Sequence, residues 1–144
     1  MAGRTFVITF TLNVAWEMGQ MSLYRGMKPL SPHSVMFCSL ASVADAGYTL
    51  FLLWIGRRIL RNSRRALLLT AFRIVYIAGS GVITSVIVER VGLRAGLWAY
   101  NSAMPKSPWL CVGILPVLQL AFLPLLTFYV VRRFSFLPGA QNRL

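Results

Sequence analysis

Residues 66–89, ALLLTAFRIVYIAGSGVITSVIVE, form an apolar run whose only charged residues are Arg73 and Glu89. At about 1.5 Å per helical residue, a run of this length crosses the roughly 30 Å of hydrocarbon in a bilayer. Three similar runs cover residues 6–24, 34–56 and 109–131. We therefore predict an all-α polytopic membrane protein, with residues 1–144 forming a single bundle of four transmembrane helices. The first run has no small-x-small cleavage site, so we expect it to be retained as a helix.

The composition supports this class and limits the partners. The chain is 57% hydrophobic and 12% charged, which leaves too few polar residues to cover a soluble globule. Its formal net charge of +12 would suit nucleic acid, but the arginines flank apolar runs and no aromatic stacking platform accompanies them. We expect membrane lipids and their anionic headgroups as partners, and no nucleic acid. With His33 as the single histidine and no metal-binding motif, no metal or cofactor is predicted.

The basic residues predict the orientation. Nine of them precede the first run, follow the last run or occupy the second connection, namely Arg4, Arg57, Arg58, Arg61, Arg64, Arg65, Arg132, Arg133 and Arg143. Five occupy the first and third connections, namely Arg25, Lys28, Arg90, Arg94 and Lys106. Because cytoplasmic connections carry the excess of Lys and Arg, we predict both termini in the cytoplasm and a location in the inner (plasma) membrane.

All three acidic residues, Glu17, Asp45 and Glu89, lie within or at the end of apolar runs. An ionised carboxylate at the centre of a bilayer costs about 2.5 to 3.5 kcal/mol on insertion scales, so such groups usually face a bundle interior or a cavity. We treat the three as candidate catalytic residues. The competing interpretation is that they only hold helices together through hydrogen bonds.

Helical rise converts these positions into depths. Glu17 and Asp45 each lie about 16 Å from the cytoplasmic edge, and Gln119 falls at a similar height. Arg73 lies about 10 Å from that edge, where it could reach up as a counter-ion or extend toward the headgroups. The predicted spans therefore place polar groups in one layer near the midplane.

The spacing of polar residues places them on single helix faces. Asn13, Glu17, Gln20 and Tyr24 recur at i, i+4, i+7 and i+11, which is one stripe of a helix. Similar stripes are Ser34, Cys38, Ala41, Asp45 and Thr49, then Arg73, Tyr76, Ser80 and Thr84, with Gly81, Ser85 and Glu89 beside them. Each stripe needs a protein partner. Asn13, Gln20, Arg73 and Gln119 are candidate substrate-binding residues.

Two prolines and two cysteines add local expectations. Pro116 and Pro124 fall inside the fourth run and predict a kink or a break in that helix. Cys38 and Cys111 are both expected in the outer third of a helix as buried free thiols. A disulfide between them stays open, because sequence does not show whether their Cα atoms approach within about 7 Å.

Residues 89–101, E-R-V-G-L-R-A-G-L-W-A-Y-N, are followed by a proline-containing loop and by G-I-L-P-V-L-Q at residues 113–119. This stretch resembles the lycopene cyclase domain of small membrane carotenoid enzymes, where an aspartate stands nine residues before the tryptophan of a G-x-W-x-aromatic motif. Glu89 takes the aspartate position and Pro116 a later proline. Gly96, Trp98 and Tyr100 take the motif positions. Leu118 and Gln119 stand where that family has paired glutamates.

The resemblance implies a substrate-binding role for Trp98 and Tyr100. The alternative for both, and for Trp109, is an aromatic belt at the outer membrane interface. Residues 13–24 and 96–105 also resemble an uncharacterised family of small bacterial membrane proteins.

These observations predict an intramembrane pocket that acts on an isoprenoid or other lipidic substrate. Two carboxylates at one depth would repel each other if both were ionised, so one of Glu17 and Asp45 should hold a proton and serve as a general acid. Glu89 and Gln119 would polarise or position the substrate. The alternatives are a non-catalytic small subunit or assembly factor, whose acids pair with partner helices, and a proton-coupled carrier, which would need to dimerise.

Overall fold

The computed structural model describes residues 1–28, 30–61 and 67–135. The chain forms four α-helices in these ranges: α1 (Ala2–Gln20), α2 (Pro32–Leu60), α3 (Ala71–Arg94) and α4 (Ile114–Ser135). A short 3-10 turn, Met21–Leu23, follows α1, and the described residues contain no strand beyond isolated bridges. The all-α prediction is therefore confirmed. Among the described helices, α2, α3 and α4 are long and apolar enough to cross a membrane.

The helices differ from the predicted spans mainly at their ends. The first helix covers Ala2–Gln20 instead of 6–24, and the second covers Pro32–Leu60 instead of 34–56. The third begins at Ala71 and continues to Arg94, past the predicted end at residue 89, and the fourth begins at Ile114 rather than 109. The predicted spans follow hydrophobicity, whereas a helix continues into polar sequence until a backbone stop signal. Residue 66, Arg64, Arg65 and Arg143 lie outside the described residues.

Local sequence explains where α2 begins. Ser31 is the N-cap residue, and its side-chain oxygen accepts a hydrogen bond from the backbone N–H of Ser34 at 3.2 Å. Pro32 occupies the first helical position, where its missing amide hydrogen has no intrahelical partner. The helix then runs to Leu60 and ends in a left-handed residue, Arg61, with φ of 49°.

The helices pack in the order α2, α1, α4, α3, because α1 contacts both α2 and α4 and α4 contacts α3. The α3–α4 contact is very close at Gly81, where a Cβ atom would lie 2.2 Å from the carbonyl oxygen of Leu120. Among the described residues, α2 and α3 make few direct contacts. This leaves a seam between α2 and α3 along the side of the bundle.

The first helix turns its polar face inward. Thr5, Thr9, Asn13 and Gln20 are buried, whereas Phe6 and Val7 are exposed. Thr9 Oγ1 donates a hydrogen bond to Thr127 Oγ1 of α4 at 3.3 Å. The predicted stripe of the first run thus lies on the buried face and extends to Thr5 and Thr9. Its last member, Tyr24, lies beyond the end of the helix.

The buried face of α3 is the second of the two predicted stripes. Gly81, Ser85 and Glu89 are buried together with Ile77, whereas Tyr76 in the first stripe is 50% exposed. Gly81 explains why this stripe is the buried one, because only the helix face that carries this glycine can approach the backbone of α4 so closely.

Two local expectations are wrong. Pro116 does not interrupt the fourth helix, because it lies in the first turn of α4, where the amide hydrogens have no intrahelical partner. Cys111 is exposed and lies in the loop before α4, with φ of 55°, rather than buried in a helix. Cys38 is a buried free thiol as predicted, and Pro124 lies inside α4.

Candidate functional site

A cavity of about 370 Å³ opens on the seam between α2 and α3. All three acidic residues of the chain line it, so the entire negative side-chain charge of the protein converges here. We call it the upper cavity; it is lined by Glu17, Tyr24, Phe37, Leu40, Ala41, Ala44, Asp45, Tyr48, Thr84, Ser85, Val88, Glu89, Trp98, Pro116, Gln119 and Leu120. The end of the bundle nearest to it, with residues 21–28, 30–31 and 95–113, is called the lid end.

Gln119 of α4 connects the acidic residues of two other helices. Its side-chain nitrogen lies 2.9 Å from Glu17 Oε1, 2.8 Å from Asp45 Oδ2 and 3.0 Å from Asn13 Oδ1. An amide nitrogen carries two hydrogens, so it can donate to only two of these three oxygens at a time. The third oxygen must accept a hydrogen bond from another donor or point into the cavity.

The orientation of the Gln119 amide is set by a chain of donors behind it. Gln20 Nε2 donates to Gln119 Oε1 at 2.9 Å, and Trp16 Nε1 donates to Gln20 Oε1 at 3.2 Å. Since the Gln119 oxygen is the acceptor in this chain, its nitrogen is left to face the carboxyl groups. Asn13 is held in turn by a bond from its side-chain nitrogen to the Thr9 carbonyl at 2.9 Å.

Glu17 and Asp45 are close neighbours although they come from different helices. Their oxygens contact the same nitrogen atom, so they lie no farther apart than the sum of the two hydrogen-bond lengths. Two negative charges this close repel strongly when water is excluded. The pair is therefore suited to holding one proton between two carboxyl groups.

The third acid, Glu89, is reached by a reversal of the chain at the end of α3. Gly96 adopts φ of 69°, and the Leu97 N–H donates to the Gly92 carbonyl at 2.9 Å. The Gly96 N–H donates to the Leu93 carbonyl at 3.3 Å, which completes a Schellman motif. This left-handed glycine turns the chain back over the last turns of α3.

Trp98 consequently packs against α3, the helix that precedes it in the chain. Its indole ring covers Gly92, where a Cβ atom would lie 2.0 Å from the ring, and its Nε1 donates to Glu89 Oε2 at 3.2 Å. The hydroxyl of Tyr100 donates to the same carboxylate oxygen and accepts the Gly113 N–H at 2.9 Å. Glu89 is thereby held by two donors of one loop.

The two connections at the lid end cover the cavity together. The Arg25 N–H donates to the Ala99 carbonyl and the Asn101 N–H to the Leu23 carbonyl, each at 2.8 Å. The rings of Tyr24 and Tyr100 lie 5.7 Å apart. Burial raises the pKa of both phenols above the ordinary tyrosine value, with the hydrogen bond to Glu89 adding to the effect at Tyr100.

The structure brings together most of the predicted site residues. Glu17, Asp45, Glu89, Trp98 and Gln119 line the upper cavity, while Asn13, Gln20 and Tyr100 are hydrogen-bonded directly to residues that line it. Trp98 and Tyr100 point toward Glu89 rather than outward, whereas Trp109 is 90% exposed.

Arg73 does not line the upper cavity. Its Nη1 donates to the Leu68 carbonyl at 2.7 Å, and its side chain lines a second cavity nearer the start of α3. The predicted height of Arg73 assumed that the helix begins at residue 66. Because α3 begins at Ala71, Arg73 lies in its first turn.

Sequence reasoning missed several residues that shape the site. Phe37 packs edge-on against Trp98 at 5.9 Å, and Tyr24 lines the cavity from the lid end. Tyr48 and Ser80 share a hydrogen bond of 2.9 Å that joins α2 to α3. Of these residues, Tyr24 and Ser80 carried a signal, because each belongs to a predicted polar stripe. Contacts such as Phe37–Trp98 depend on how the helices are arranged, and no pattern in the sequence predicts them.

The described residues contain no group of three side chains that could hold a metal ion. Comparisons with protein-family models, curated proteins and solved structures return no match for the chain.

Proposed function

We propose that this protein crosses the inner membrane four times and modifies an isoprenoid or related lipidic substrate in the upper cavity. The observation that carries the proposal is the convergence of Glu17, Asp45 and Glu89 on one intramembrane cavity. Intramembrane carboxylates are costly, and clustering all three in one place is the arrangement expected of a functional site.

The burial pattern of α1 supports the fourth span. α1 falls outside the group of helices selected by length and hydrophobicity, but its polar residues face α2 and α4. Its outward face carries apolar side chains such as Val7, which is 61% exposed. A helix of this kind suits a bilayer when it is part of a bundle. The distribution of arginines favours both termini on the cytoplasmic side.

The shape of the cavity supports a lipidic substrate. Leu40 of α2 and Val88 of α3 line it and are 64% and 49% exposed, so the seam opens sideways. An apolar molecule in the bilayer would enter by this route without crossing water. Phe37 and Trp98 add aromatic walls, which stabilise a positively charged intermediate through their π faces.

The chemistry proposed for the pair is general acid–base catalysis on a carbon–carbon double bond. The protonated carboxyl of the Glu17–Asp45 pair transfers its proton to a substrate carbon and becomes a carboxylate. The carbocation formed then loses a proton from a neighbouring carbon to a carboxylate of the pair, which restores the starting state. Gln119 stabilises the carboxylate by hydrogen bonding, and Glu89 faces the cation from the other side of the cavity.

A second candidate function is a non-catalytic subunit or assembly factor. The contacts of Gln119 favour it, because one amide joins α1, α2 and α4 through Asn13, Glu17 and Asp45. Under this interpretation the carboxyl groups act only as hydrogen-bond acceptors within the bundle.

The test compares lipid extracts from cells that lack the gene with cells that express the wild type or Glu17→Gln. Gln retains the volume and hydrogen bonds of Glu but does not titrate, so an enzyme should fold normally and lose its effect on the isoprenoid or lipid profile. Ser80→Ala, outside the acidic cluster, serves as the expressed control. An unchanged lipid profile with copurification of another protein in fixed stoichiometry would favour the subunit. Reporter fusions after Lys28 and Lys106 should report the periplasm if the orientation is correct.

A further inference from the structure

A second cavity of about 360 Å³ lies on the same seam, beyond the hydrogen bond between Tyr48 and Ser80. We call it the lower cavity, and it is lined by Leu52, Ile55, Gly56, Ile59, Leu60, Phe72, Arg73, Tyr76 and Ile77. These residues belong to the last turns of α2 and the first turns of α3. It is therefore next to the end of the bundle opposite the lid, which we call the arginine end.

The charged side chains that the structure describes at this end are positive. Arg73 lies in the cavity wall, and Arg57, Arg58 and Arg61 are exposed on the last turn of α2 and just after it. All three acidic side chains of the chain line the upper cavity, in the other half of the seam. Arg58 is further held in place by Trp54, with its guanidinium carbon 5.2 Å from the ring centre.

The remaining walls are apolar and open to the outside of the bundle. Ile59 of α2 and Phe72 of α3 both line the cavity and are 74% and 79% exposed. The floor is closed by the buried side chains of Leu52 and Ile77. The cavity thus combines apolar walls with one cation, Arg73, in the first turn of α3.

We infer that the lower cavity binds one phospholipid with a net negative headgroup. An acyl chain occupies the groove between α2 and α3, and the phosphate accepts hydrogen bonds from the guanidinium of Arg73. A planar guanidinium matches phosphate oxygens in geometry and charge. The arginines of the α2 terminus add an attraction that a zwitterionic lipid with no net charge does not receive. This inference does not depend on the proposed function of the upper cavity.

The test is native mass spectrometry of the full chain, purified in detergent and incubated with equal amounts of phosphatidylglycerol and phosphatidylcholine. We expect the wild type to retain phosphatidylglycerol in preference. Arg73→Gln should reduce that retention about tenfold, the loss expected when a charge-assisted hydrogen bond of about 1.5 kcal/mol is removed. Arg57→Gln is the matched control, because Arg57 is exposed at the same end but does not line the cavity. Its effect should stay below about twofold.

Three results would overturn the inference. The first is equal retention of the two lipids by the wild type, and the second is an equal loss in Arg57→Gln and Arg73→Gln. The third is displacement of the lipid by inorganic phosphate alone, which would indicate a phosphate site without a role for the acyl chain. If Arg73→Gln does not fold, Ile55→Trp decides the question, because a larger side chain in the groove should reduce phosphatidylglycerol retention while Arg73 remains.

Discussion

The two cavities on the α2–α3 seam have nearly equal volumes but opposite charge. The upper one, about 370 Å³, is lined by all three acidic side chains of the chain, and the lower one, about 360 Å³, is lined by Arg73 and adjoins further arginines. The hydrogen bond between Tyr48 and Ser80 lies between them. A bundle with three close interfaces and one open seam thus contains two chemically different cavities.

The two halves of the bundle are also held together by different forces. Around the upper cavity, Gln119, Glu89 and Tyr100 form hydrogen bonds between helices and loops. Near the lower cavity the core is aliphatic and aromatic, formed by Leu52, Leu53, Leu67, Ile77, Phe128 and Val131. Hydrogen bonds fix the positions of particular atoms, as chemistry requires, whereas apolar packing fixes only shape.

The largest effect is expected at Gly81, which sets the distance between α3 and α4. In Gly81→Ala the new Cβ would lie 2.2 Å from the Leu120 carbonyl oxygen, a backbone atom that a side-chain rotation does not relieve. We expect a loss of about 3 kcal/mol in the free energy of unfolding, at the upper end of overpacking effects. Thermal unfolding of the purified protein measures it.

Gly79→Ala is the matched control, because a Cβ at Gly79 meets nothing within 4 Å. It should be neutral or stabilising by up to about 1 kcal/mol, since Ala favours helix more than Gly. Equal losses in the two variants would mean that the contact with Leu120 does not hold the wall of the upper cavity.

A smaller effect is expected from Gln119→Leu. This change removes three hydrogen bonds at a time, two donated by the side-chain nitrogen to two of the three oxygens of Asn13, Glu17 and Asp45, and one accepted from Gln20. Interhelical hydrogen bonds in membrane proteins average about 0.6 kcal/mol each, so the loss in unfolding free energy should be about 2 kcal/mol. Leu118→Met, at an exposed position on the same turn, should change stability by less than about 0.5 kcal/mol.

The same variant separates the two cavities. Gln119→Leu should leave phosphatidylglycerol retention at the lower cavity unchanged, because the hydrogen bonds that it removes all lie in the upper half. A parallel loss of lipid binding would show that the upper and lower halves of the bundle are coupled and do not act as separate sites.

The smallest effect is expected from Tyr100→Phe. Its hydroxyl donates to Glu89 and accepts from the Gly113 N–H, and removal should cost about 1 kcal/mol of unfolding free energy. Tyr76→Phe at the half-exposed edge of the lower cavity should cost less than about 0.5 kcal/mol. Thermal melts of both variants at neutral pH provide the comparison, and similar shifts would contradict a special role for the lid.

The stabilisation from Tyr100 should also depend on pH. Because the pKa of this phenol is raised in the folded protein, its contribution is complete below the unfolded tyrosine pKa of about 10. It should be lost as the pH rises from there through the folded-state pKa. The difference in melting temperature between wild type and Tyr100→Phe should therefore shrink above about pH 10.

The sequence by itself determined the all-α class and the heights at which Glu17, Asp45 and Gln119 meet, because the rise of a helix per residue is constant and hydrophobicity marks the apolar runs. It also marked the polar stripe of α1, because helical periodicity places Asn13 and Gln20 on one face. It did not show which helices are neighbours, because that depends on packing between residues distant in sequence.

Only the tertiary structure decided which residues line each cavity. Arg73 joined the lower one because α3 begins at Ala71, and Trp98 reached Glu89 because Gly96 turns the chain back and Gly92 leaves room for the indole. The open seam itself follows from the packing order α2, α1, α4, α3. Contacts between helix faces set how each helix is rotated, where the chain reverses and which helices are neighbours. The sequence shows which residues share one face, but it does not show which other face packs against it.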